Sequence, residues 1–136
     1  MKIIARMLED EVYEAHNEAG HKITMDMREA SVKRNQSPPE LLLSSLAGCG
    51  AVDIVIMLKK RKKTVLDFVV ETVGIRRDEI PRKFLDIHCK YIITSPDVEE
   101  EEFEKFAKLS LEKYCTVAAT LNSHIHFSIE VKRPSS

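Results

Sequence analysis

The sequence predicts an α+β fold, with antiparallel strands on either side of one long apolar helix. Three observations carry this expectation. Residues 37–63, SPPELLLSSLAGCGAVDIVIMLKKRKK, run almost uncharged for about four to five helical turns and end in five consecutive cations. The segments on either side alternate apolar and polar residues at a period of two. The order of elements is strands, long helix, strands, helix, strand, and not a repeated strand–helix–strand unit.

The elements follow in order. Residues 1–27 read as two or three antiparallel strands. Ile23, Met25 and Met27 fall on one face, opposite Lys22, Thr24 and Asp26, and HNEAGH (16–21) supplies the Asn and Gly of a turn. REASVKRNQ (28–36) is polar and reads as a loop. Ser37 is placed to cap the long helix, Pro38 suits the first helical position, and Glu40 stands at capping-box spacing. Lys59, Lys60, Arg61, Lys62 and Lys63 set positive charge at the negative end of the helix dipole. Two strands come next, with Leu66, Phe68 and Val70 on one face of the first. Leu85, Ile87, Cys89, Tyr91 and Ile93 share a face of the second, and RRDEIP (76–81) joins the two. In SPDVEEEE, Ser95 is the expected cap and Pro96 the expected start of a second helix, which carries Phe103, Phe106, Ala107, Ser110 and Tyr114 at helical spacing. CTVAATL reads as a short helical piece. The last strand, SHIHFSIEV, turns Ile125, Phe127, Ile129 and Val131 inward.

Bulk properties narrow the function. A chain of 136 residues is about one domain, and 43% apolar residues suit a packed core. A formal net charge of −1 argues against an extended nucleic-acid surface, and the KKRKK run is explained by its place at a helix end. Three cysteines make a poor disulfide framework and fit a reducing compartment, so a cytoplasmic protein is expected. Leu41–Leu58 is barely long enough to cross a membrane and carries Asp53, so no membrane span is assigned. A helix that is apolar nearly all round needs cover on nearly all sides, more than one small sheet provides. The small residues Ser44, Ala47, Gly48 and Ala51 would let another helix approach, so an intertwined homodimer is expected.

Residue type alone favours packing for all three thiols. Cys89 lies on the apolar face of its strand. Cys49 sits between Gly48 and Gly50 in the most apolar helix, and each glycine costs that helix on the order of 1 kcal/mol relative to alanine, which is explicable where a backbone or ligand comes close. Asp53, one turn on, is an acceptor or charge partner for the Cys49 thiol, or an interface residue. Cys115 lies where one helix stops and the next starts, and a helix N-terminus lowers a thiol pKa. His124 and His126 share the polar face of the last strand at a spacing that can bind a metal. No third ligand is evident, so no metal site is assigned.

SPPELLLSSLAGC, with Cys49 on the long helix, and KYCTVAATL, with Cys115, resemble the OsmC/Ohr family of thiol-dependent peroxidases, specifically its OsmC-like branch. The resemblance runs through nearly the whole chain in order, as one domain over 1–136. It implies an intertwined α+β dimer with two central helices wrapped by sheets. It implies that Cys49 is the peroxidatic thiol, oxidised to a sulfenic acid by organic hydroperoxides, and that Cys115 resolves it to a disulfide reduced by an external dithiol. No cofactor is implied. The chain departs from the best-characterised peroxidase branches in two places. The turn HNEAGH lacks their arginine, with Arg28 or Arg34 in the following loop as possible sources of the charge. Pro39 stands where those branches have glutamate, and Glu40 is one residue late, a rotation of about 100° on a helix. These departures favour a rival reading, a non-catalytic member that binds a small apolar or thiol ligand in the dimer cleft.

Overall fold

The computed structural model describes residues 1–135. They divide into two compact units, Met1–Leu42 and Leu43–Ser136.

The first unit is a three-stranded antiparallel sheet of β1 (Ile3–Glu9), β2 (Val12–Asn17) and β3 (Lys22–Asp26), in the order β1-β2-β3. The HNEAGH turn joins β2 to β3, with Gly20 at φ +88°, a left-handed conformation that favours glycine. The expected alternation of β3 does not hold: Lys22 and Ile23 are both exposed, and Thr24 and Met25 are both half-buried. Asp26 is fully buried, whereas Ile23 and Met27 are exposed. Burial of this carboxylate is supported by partners that periodicity does not reveal. Arg28 donates to it through Nε at 2.9 Å and through a terminal nitrogen at 2.8 Å, and the Arg34 backbone N–H adds a bond of 2.8 Å.

Helix α1 runs from Pro38 to Lys60, the span the sequence predicts. Its start is the expected capping box: the Glu40 carboxylate accepts from the Ser37 backbone N–H at 3.0 Å and from Ser37 Oγ at 2.8 Å. Its end needs no glycine, because Lys62 adopts φ +60° and lets the Lys63 N–H reach back to the Leu58 carbonyl. Length and composition would let α1 cross a membrane. The stripe Leu46, Gly50, Ile54 and Leu58 is buried, however, and its apolar side chains join the core of the second unit, as in a core helix.

That core is built on a second sheet, β4 (Asp67–Arg76), β5 (Phe84–Thr94) and β6 (His124–Lys132), in the order β4-β5-β6. β4 and β5 pair antiparallel, but β5 and β6 pair parallel. The sheet is therefore mixed, and its β5–β6 connection is a strand–helix–strand crossover, which corrects the all-antiparallel expectation. A parallel neighbour requires a long return path, and the chain from Ser95 to Ser123 supplies it. Ile87, Cys89, Tyr91 and Ile93 point inward and are completely buried. Leu85 does not join them. A register shift at the Ile75/Arg76 end of the ladder leaves it 43% exposed and buries Phe84 instead. Leu66 precedes β4 and is exposed.

The second helix starts later than Ser95 and Pro96 suggest. Ser95 Oγ accepts from the Asp97 and Val98 N–H groups in a turn of its own, and α2 runs from Glu100 to Leu109 after Glu99. The Glu99 N–H donates to the Glu102 carboxylate at 3.3 Å. A π-helical turn, Ser110–Tyr114, follows and breaks the 3.6-residue period. Phe103, Phe106, Ala107 and Ser110 are buried as the spacing predicts, but Tyr114, beyond the break, is exposed. The short helix α3 (Thr116–Thr120) completes the crossover.

Candidate thiol site

All three cysteines are free thiols. The fold of the second unit brings them to one core: Cys89, Cys115 and Tyr91 belong to it, and Cys49 packs against it. Cys49 comes from α1 and is half-buried. Cys89 comes from the inward face of β5, and Cys115 is the residue before α3, with only 2% of its surface exposed. Burial is the main influence pushing the Tyr91 hydroxyl far above its usual ionisation range, and the thiols of Cys89, Cys115 and Cys49 add to it.

Local geometry explains how each residue reaches the cluster. α1 approaches β5 at Gly50. A methyl group there would lie 2.9 Å from the Tyr91 hydroxyl, so only glycine lets Tyr91 sit where it does. Nothing lies within 4 Å of a methyl group built on Gly48, so close approach accounts for one of the two glycines and not the other. The π-helical turn brings Ser110 to the same place. Its Oγ donates to the Gly50 carbonyl at 3.1 Å and lies 3.5 Å from Asp53 Oδ2, so Asp53 is turned toward Ser110. The turn also closes with a 2.7 Å bond from the Cys115 N–H to the Ser110 carbonyl, which fixes Cys115 at the entry to α3.

The Cys115 thiol differs from expectation in its electrostatics. The Ala118 N–H does donate to Cys115 Sγ at 3.4 Å, as a helix start should allow, and this lowers the pKa. Burial outweighs it. Desolvation and the neighbouring Cys49 thiol push Cys115 up to about 11, correcting the lowered value read from its position. Cys89 is also raised, chiefly by burial.

Tyr91 and Ser110 are the residues that sequence reasoning missed as parts of this cluster. Tyr91 looks like one more inward strand residue, yet its hydroxyl is buried without a well-formed hydrogen bond among the described residues and has the Cys89 thiol beside it. Such an orphaned donor is uncommon and marks a place where a polar atom would be accommodated.

In the first unit, Arg28 is already engaged. Two of its nitrogens bind Asp26 and a third binds Glu9 at 2.9 Å. Glu40 is held in its capping box, with Lys33 at 3.8 Å, and this holds its carboxyl below the usual range. Arg34 lines an open depression of about 610 Å³ with Lys33, Asn35, Gln36 and Glu40.

Fold and site together define a class: an α+β protein with free thiols gathered in its core beside a long apolar helix. The chain belongs to the OsmC-like protein family, whose model matches residues 31–130. It is 32% identical over 128 residues to Protein YhfA of Escherichia coli K12, covering 94% of each chain. A hypothetical protein from Aquifex aeolicus has a similar solved structure, with 30% identity, a TM-score of 0.86, and 98% and 97% of the two chains covered. The organic hydroperoxide resistance protein OhrB of Bacillus subtilis shares the fold at 17% identity, with a TM-score of 0.63 and 96% of each chain covered.

Proposed function

We propose that this protein is a cytoplasmic, homodimeric thiol peroxidase that reduces organic hydroperoxides. The observation that supports the reading is that Cys49, on α1, packs against the same buried core that holds Cys115, although the two are distant in sequence. In the proposed cycle the Cys49 thiolate attacks the terminal peroxide oxygen. The O–O bond breaks, the alkoxide leaves and is protonated to an alcohol, and Cys49 becomes a sulfenic acid. Cys115 then attacks the sulfenic sulfur, giving the Cys49–Cys115 disulfide and water. A dithiol reductant restores both thiols by exchange. Tyr91, whose hydroxyl has no well-formed hydrogen bond among the described residues, would donate to the oxygen carried on Cys49. The resistance to organic hydroperoxides for which OhrB is named supports this choice of substrate.

Unburied apolar surface supports the dimer. On α1, Val52 and Ile56 remain 57% and 47% exposed, and β1 leaves Ile3, Ile4, Met7 and Leu8 open along its length. A second copy would cover such a surface. Sedimentation at low micromolar concentration should give about twice 15.5 kDa. A folded monomer would remove the dimer from the proposal.

One observation favours a second reading, a non-catalytic protein binding a small apolar or thiol ligand. Arg28 is consumed by Asp26 and Glu9 and so is not available to activate a peroxide. Treatment with stoichiometric cumene hydroperoxide followed by peptide mapping separates the two. A peroxidase gives the Cys49–Cys115 disulfide, and Cys115→Ser leaves a dimedone-reactive Cys49. Cys49 remaining reduced in folded protein under excess hydroperoxide selects the ligand-binding reading.

A further inference from the structure

The polar face of the β5–β6 pair carries a second cluster, unrelated to the thiols. His124 and His126 alternate along β6, so both imidazoles leave the sheet on one side. Parallel pairing sets Asp86 of β5 directly opposite His124. The two rings lie side by side, with centroids 4.1 Å apart, and converge on one carboxylate oxygen. His126 Nε2 is 3.2 Å and His124 Nδ1 is 3.7 Å from Asp86 Oδ1. One donor atom from each residue lies within 4.8 Å of the other two.

We propose that Asp86, His124 and His126 form a binding site for a divalent transition-metal ion such as zinc. Two imidazoles and a carboxylate are a donor set that suits zinc, cobalt and nickel, whereas magnesium and calcium select all-oxygen sites. Zinc binds such donors at about 2.0–2.2 Å, which places neighbouring donors roughly 3.4 Å apart in a tetrahedron. The observed triangle therefore closes with movements of about an ångström or less. The side chains are free to make them, since His124, His126 and Asp86 keep 73%, 47% and 47% of their surface exposed. Without a cation, the two imidazoles, tilted 51° to each other, share a single carboxylate oxygen. A metal ion satisfies both ring nitrogens and the carboxylate at once, and water fills the open position. The site bridges the parallel pair β5 and β6, on the face opposite Cys89 and Tyr91, so its occupation does not depend on the peroxidase chemistry.

The test is calorimetric titration of the reduced, untagged protein with zinc chloride, paired with cobalt(II) absorption spectra. The expected result is one ion per chain in the micromolar range, unaffected by excess magnesium. His126→Ala and Asp86→Asn should each weaken binding at least about 10-fold, the scale on which even outer groups of a metal site act. His88→Ala serves as the control. His88 lies on the neighbouring strand position but is engaged with Ser128 Oγ at 2.9 Å, so its loss should leave the affinity unchanged. Cobalt should give visible bands without the intense near-ultraviolet absorption of thiolate ligation. The proposal is overturned by millimolar binding, by equal affinity in His126→Ala, or by thiolate bands that put the metal on the cysteines.

Discussion

Asp26 in the first unit and Tyr91 in the second are both completely buried and both carry a polar group. Asp26 is fully partnered: Arg28 holds both carboxylate oxygens, and the backbone N–H groups of Arg28 and Arg34 supply two further bonds. Tyr91 has a hydroxyl with no well-formed hydrogen bond among the described residues, set beside the Cys89 thiol. A buried charge with every lone pair answered is architecture, because removing any part leaves the rest uncompensated. A buried donor left unanswered contributes nothing to the fold and costs the desolvation of its hydroxyl.

The largest effect that would test this contrast comes from breaking the satisfied site. Asp26→Ala leaves the Arg28 guanidinium only its bond to Glu9 and strands two backbone N–H groups, so the β1–β3 unit should lose most of its amide protection, as hydrogen exchange would show. The same logic sets an acid limit. Arg28 beside Asp26 holds its carboxyl well below the usual carboxylate range. The resulting stability is present above the unfolded value near pH 4 and is lost as pH falls through the lowered folded value. Intact β2–β3 protection in Asp26→Ala would show that this carboxylate is not architectural.

The next effect lies at Gly50. An added methyl group would collide with the Tyr91 hydroxyl, so Gly50→Ala should cost about 1–3 kcal/mol, the range for overpacking, and slow oxidation of Cys49. Gly48→Ala meets nothing and should stabilise α1 by up to about 1 kcal/mol. Urea denaturation of the two variants reads both signs, and equal responses would mean that Tyr91 does not press on α1.

A smaller effect is expected at alkaline pH. Cys115 is raised to about 11 from an ordinary value of 9.0, so the fold favours the neutral thiol. The stability this contributes is intact below about pH 9 and declines toward pH 11, as the thiol of the unfolded chain ionises first. Urea midpoints across that window should fall for the wild type, and less steeply for Cys115→Ala.

The smallest change in stability should come from Tyr91→Phe. It removes an unpaired hydroxyl and keeps the ring against Phe68, whose centroid is 6.2 Å away, so stability should stay within about 1 kcal/mol or rise. Disulfide formation under cumene hydroperoxide should nevertheless slow. A marked loss of stability in Tyr91→Phe would show the hydroxyl to be structural after all and erase the contrast with Asp26.

The sequence by itself determined the elements whose causes are local. The 37–40 capping box, the apolar run and the cationic end set both ends of α1, because capping and dipole effects act within a turn or so. Alternation identified the inward faces of β5 and β6, and the motifs around Cys49 and Cys115 carried the family. Tertiary structure alone decided what depends on partners distant in the chain. Asp26 is buried because Arg28 folds back on it, against the alternation of β3. Tyr114 leaves the apolar stripe because a π-helical turn resets the period. Cys115 is raised because burial outweighs the local pull of the Ala118 N–H. Asp86 joins His124 and His126 because β6 runs parallel to β5, a pairing made only after the whole helical crossover has returned the chain to the sheet. Local free energies are written in neighbouring residues, whereas register, burial and convergence are settled by which distant surfaces exclude water together.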